Sequence, residues 1–165
     1  MRLNPYCHRL VGGEFSLGDN PRVSAQFSAQ FCAANALARA SSKLPHFRPE
    51  QVADASLRSL IDRVTCTGDA ALDARGHTAV DLEVTTTAGR VLTRALDIAP
   101  GFPGAELSDA QHRARFDDCV DYAPHRPPTQ QMADLLAAIE RVEALDDARR
   151  LGALLTVRSA RPGAD

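Results

Sequence analysis

The plainest periodic signal in the chain lies at residues 77–98. Val80, Leu82 and Val84 alternate with Asp81 and Glu83, and beyond Gly89 the residues Leu92, Leu96 and Ile98 alternate with polar or small ones. A period of two sends successive side chains to opposite faces of a strand. With "TTAG" between the two runs, the pattern predicts an antiparallel hairpin with one face in water.

A second pattern occupies residues 24–40, "SAQFSAQFCAANALARA", which holds seven alanines, two phenylalanines and no acidic residue. Placed on a helical wheel, Ala25, Ala29, Cys32, Ala33, Ala36 and Ala40 share one side, and Phe27, Phe31, Ala34 and Ala38 fall nearly opposite. Gln26 and Gln30 separate the two faces on one flank; Ser28, Asn35 and Arg39 do so on the other. A surface helix has one apolar stripe and this one has two. The reading is a helix capped by Ser24 and held between two layers, its small face close to another backbone.

Elsewhere the signals are shorter. Pro5, Gly12, Gly13, Gly18, Asn20 and Pro21 mark the first 23 residues as extended chain and turns, with a short strand at residues 9–11. A turn of helix follows Pro49, and residues 55–64 form a brief helix with Leu57, Leu60, Ile61 and Val64 inward. After a Pro/Gly loop at residues 99–108, Ser108 caps a helix with Asp109 in its first turn. Residues 127–155 read as two helices, striped by Met132, Leu135, Leu136, Ile139 and Val142, then by Leu145, Leu151 and Leu154. The order predicts an α+β fold: an antiparallel sheet whose central hairpin, about 77–98, packs against helices. One domain over residues 1–157 is expected, followed by a frayed tail at 158–165.

Composition narrows the function classes. With 165 residues, 44% hydrophobic and 24% charged, the chain is long enough for a proper core. Nineteen basic against 21 acidic residues leave a net charge of −2, which gives no electrostatic case for nucleic acid or an anionic membrane. No apolar run approaches the roughly 18 residues that span a bilayer, and residues 1–13 do not read as a signal peptide. Cys7, Cys32, Cys66 and Cys119 are scattered without a CxxC pair, which points to free thiols in a cytoplasmic protein rather than zinc or disulfides. With no Trp and 5% aromatic residues, the core must rely on Ala, Leu and Val.

Catalytic patterns are sparse. His8, His46, His77, His112 and His125 include no i, i+4 pair, so neither a zinc-protease site nor any other metal site is expected. No glycine loop sits between a strand and a helix at phosphate-binding spacing. Asp117, Asp118 and Asp121 read as a solvated helix end. His8 is a candidate because it precedes Gly12 and Gly13, a pair that lets backbone approach a ligand.

The stretch "LVGGEF…NPRVSAQFSAQFCAANALARASSKLPHF" resembles the second domain of the MmgE/PrpD family, which includes 2-methylcitrate dehydratase, cis-aconitate decarboxylase and iminodisuccinate epimerase. Ala25-Gln26-Phe27-Ser28, Gln30-Phe31, residues 33–37 and His46-Phe47 carry the likeness. The "TAGR" turn, "GFPGAELSDAQHRARF" and "LDDARRL" follow in the family's order, over roughly residues 9–155. Arg115-Phe116 stands where the family has Lys-Phe, Phe31 where many members have tyrosine, and Leu10 where the decarboxylase branch has one. The resemblance implies an α+β lid domain beside a larger helical domain that supplies most acid/base residues and is absent from these residues. It implies small di- or tricarboxylate substrates, no cofactor, and Gln26, Ser28 and Phe31 as further pocket candidates. Gln26 and Ser28 lie near a helix N-terminus, which favours anions.

Three functions follow as expectations. The first is the lid of a lyase or isomerase, inactive alone and self-associating through an exposed apolar patch. The second is an enzyme half completed in trans by a helical-domain partner. The third is a non-catalytic small-acid binding module.

Overall fold

The computed structural model describes residues 1–156. The described residues divide into two compact units, one over Met1–His112 and a second that begins at Arg113. The first unit holds a four-stranded sheet ordered β2-β1-β3-β4, from β1 (Arg2–Leu3), β2 (Thr67–Gly68), β3 (Val80–Thr85) and β4 (Val91–Leu96). The expected hairpin is β3 and β4, in unbroken antiparallel register from Val80↔Leu96 to Thr85↔Val91. Gly89 takes the left-handed conformation its turn requires, at φ +76°. The fold is α+β, but the sheet is mixed rather than wholly antiparallel. β1 runs parallel to β2, Arg2 beside Thr67, and antiparallel to β3, Arg2 beside Asp81. Two-residue strands carry no alternation, so the parallel pair leaves no pattern to read.

The N-terminal segment departs from its reading as extended chain. Residues 9–11 belong to α1 (Pro5–Val11), where Asn4 caps by accepting the Tyr6 amide and Pro5 opens the first turn. The run at residues 24–40 is not one helix, and Ser24 is not a cap. α2 (Pro21–Gln26) starts at Asn20 and Pro21, and α3 (Ala29–Arg39) starts at Ser28, whose Oγ accepts the Phe31 amide. An Asn cap followed by Pro satisfies an orphan N–H and loses none, because the first helical N–H has no partner within the helix.

The core sits on one side of α3. Phe31 and Ala34 are fully buried among Phe15, Phe47, Val52, Leu57 and Ile61, and Ala25 of α2 joins them. Phe31 lies between two rings, with centroids 5.5 Å from Phe15 and 5.6 Å from Phe47. α4 (Pro49–Val52) and α5 (Ala55–Ile61) close this side, with Leu60 and Val64 partly buried against it. Phe27, expected beside Phe31, stands in the break between the helices and is 64% exposed.

α6 (Asp109–Tyr122) starts at Ser108, whose Oγ accepts the Gln111 amide while Gln111 Oε1 accepts the Ser108 amide. This reciprocal pair fulfils the expected cap. In the second unit α7 (Thr129–Ile139) packs on α8 (Arg149–Leu155), burying Leu135 and Ala138. Gln131 Nε2 fastens them, donating to the Leu154 carbonyl at 2.7 Å. The tail expected at 158–165 lies outside the described residues.

Candidate functional site

The small face of α3 answers to the sheet, across a gap. Ala29 and Ala33 on α3, Val11 on α1, and Val80, Leu82 and Leu96 on the hairpin wall an apolar cleft of about 480 Å³. Arg94 on β4 is its one charged side chain, and Met1, whose terminal ammonium donates to the Thr65 carbonyl, also lines it. Cys32 lies on the same helix face, its Sγ reaching the Ala25 carbonyl at 3.6 Å, and burial pushes its thiol pKa up. Of the two layers expected around α3, one is packed and the other stands open as this cleft.

The six candidate pocket residues fall in separate places. His8 is half-buried on α1, beside the carbonyl-capping Gly12. A Cβ on Gly12 would come within 2.4 Å of the His8 ring, and one on Gly68 would come within 3.4 Å. The imidazole therefore stands between two stretches of backbone that have no side chain to spare. Gly13 is exposed, with open space where a Cβ would point. Gln26 is exposed at the end of α2. Ser28 is 5% exposed, and its hydroxyl serves the helix start. Phe31 has no exposed surface. His8 and Gly12 touch, and Ser28 and Phe31 share a bond, but the six do not line one pocket.

The polar residues with most structure around them were not among the candidates. Gln30 accepts the Phe15 amide at 2.8 Å and donates to the Val64 carbonyl at 2.7 Å, tying the N-terminal segment to the chain just after α5. Fully buried Asn35 accepts from Arg39 and donates to the Ser41 carbonyl at 3.3 Å. Asn4, 1% exposed, donates to Asp73. A glutamine or asparagine on the polar flank of an apolar helix was the available signal, since such amides are buried only when their partners are fixed.

On the opposite face of the sheet, Asp81 accepts from Arg2 and from Arg75, each at 2.7 Å, while Arg2 also reaches Asp69 at 3.0 Å. Asp81 and Asp97 hold the Arg75 guanidinium yet more firmly protonated. These ion pairs are met within the fold, which leaves little charge to act on a ligand. Among the described residues no group of three His, Cys, Asp or Glu could hold a metal ion. No described helix is long and apolar enough to cross a membrane.

Compared with known families, residues 1–143 match the MmgE/PrpD C-terminal domain. The chain belongs to that family. No curated protein matches it.

Proposed function

We propose that this chain is the lid domain of an MmgE/PrpD-type lyase or isomerase acting on small di- or tricarboxylates, inactive until a helical domain completes the site. The observation that carries the reading is the family match over residues 1–143. The charge distribution supports it. A tricarboxylate needs several donors at once, and the largely apolar cleft beside α3 offers one charged side chain, Arg94. Acid/base groups and further donors would then come from the helical domain, as the family's architecture implies. Of the pocket candidates, His8 and Gln26 have side chains open enough to meet a carboxylate. Gly12 abuts His8, whereas Ser28 serves the start of α3 and Phe31 the core.

A titration of a family helical domain into this chain tests the reading. A defined complex that binds 2-methylcitrate or cis-aconitate more tightly than either part supports it. Tight binding of the acid by this chain alone would favour a self-sufficient binding module instead. No complex and no acid binding would overturn the reading.

A further inference from the structure

The two faces of the sheet treat their cations differently. On one, Arg2 and Arg75 are met by Asp69, Asp81 and Asp97. On the other, Arg94 stands opposite Leu82 in the register, and strand alternation surrounds it with Val80, Val84, Leu92 and Leu96. Among the described residues no carboxylate pairs with Arg94 and its guanidinium makes no hydrogen bond. Its stem lies on apolar surface, and its donors have no protein acceptor.

The face that carries Arg94 is also the one that does not close on α3. The cleft of about 480 Å³ left between them has Arg94, Cys7 and Cys32 on its lining, with Ala33, Val80 and Leu96. Such a space selects by two criteria. Apolar surface gains by leaving water for it, and a carboxylate at Arg94 gains a forked, charge-assisted pair. A second carboxylate finds no second charged side chain, and the Met1 ammonium there already donates to the Thr65 carbonyl at 2.7 Å. Carrying an unpaired charge into an apolar space is costly.

We infer that this cleft is a binding site for a monocarboxylate with an unbranched apolar tail, its carboxylate on Arg94 and its chain between α3 and the hairpin. Allowing each heavy atom about the 30 Å³ that a water takes up in the liquid, decanoate fits the space. This ligand differs in class from the small polyacids of the proposed function, and the inference does not rest on that reading.

Calorimetric titration of the full chain with decanoate at neutral pH tests the inference, with decanol and decanedioate as comparisons. The expected result is saturable one-to-one binding, tighter for decanoate than for the alcohol or the diacid. Bound decanoate should slow the alkylation of Cys7 and Cys32, which border the cleft, and leave unchanged that of Cys66, which lines a separate cavity. Arg94→Met should weaken decanoate binding about tenfold, through loss of the charge-assisted pair, and leave decanol unaffected. Ala33→Phe fills the cleft and should abolish binding of both. Absence of saturable binding overturns the inference. So does decanol or decanedioate binding as tightly as decanoate, or binding that leaves Cys7 and Cys32 as reactive as before. If a variant does not fold, the ligand comparison and the thiol protection of the unaltered chain decide.

Discussion

The Phe31 amide donates to Ser28 Oγ at 3.1 Å, and this bond marks where a single apolar run becomes two helices. Ser28 has extended backbone at φ −124°, ψ 116°, so the chain turns there and α3 begins on a fresh axis. The turn places Phe31 in the core and leaves Phe27 outside it.

Ser28→Ala removes the hydroxyl from a buried helix start. A lost cap costs about 1 kcal/mol, and leaving the Phe31 N–H without a partner in a buried place takes this toward about 2 kcal/mol. Urea denaturation should show a lower midpoint at unchanged slope.

Ala40 ends α3 in the left-handed region at φ 51°, a conformation in which a Cβ is crowded. Ala40→Gly relieves the crowding while giving the unfolded chain more freedom. The net expectation is a gain of about 0.5–1 kcal/mol, read as a rise of a few degrees in the thermal midpoint.

Asp54 caps α5, accepting the Ser56 amide at 2.9 Å and the Ser56 hydroxyl at 2.7 Å. These bonds, with the Arg39 guanidinium nearby, hold its carboxyl below the usual range. A carboxylate with a lowered folded pKa stabilises above its unfolded pKa, near about 4, and loses that stabilisation as pH falls through the folded value. Asp54→Ala should therefore be less stable than the parent at neutral pH. The gap should close on acidification below about pH 4, as measured by denaturation at a series of pH values.

The thiols should react in a set order. Cys119 is exposed, whereas Cys32 is half-buried beneath the Ala25 carbonyl with its pKa raised by burial. Alkylation at mildly alkaline pH, followed by peptide mass mapping, should label Cys119 first and Cys32 much later.

Periodicity revealed what was long and one-sided. The β3–β4 hairpin, α5 and the paired C-terminal helices could be read from repeats of polar and apolar residues, and the Ser108 cap from a serine and an aspartate following a Pro/Gly loop. Elements shorter than one repeat could not: β1 and β2 have two residues each and are defined by their neighbours. The starts of α1 and α2 were legible in principle, because Asn4-Pro5 and Asn20-Pro21 each pair a cap with a first-turn proline. Their prolines and the nearby glycines read instead as turns. The two apolar faces of the run at 24–40 pointed to a layered position, and one layer is there. The break at Ser28 was hidden because its neighbours suit a continuous helix. The site was least legible. His8 and Gly12 came together as sequence neighbours, while the buried amides of Gln30 and Asn35 depend on partners up to 34 positions away.

The central claim is that this chain forms a working site only with a helical domain. The most direct test is turnover of 2-methylcitrate and cis-aconitate by the purified chain, alone and mixed with an equimolar family helical domain. The account predicts no turnover by the chain alone and turnover in the mixture exceeding that of the helical domain by itself. Sustained turnover by the chain alone, abolished by His8→Ala with the fold intact, would contradict it.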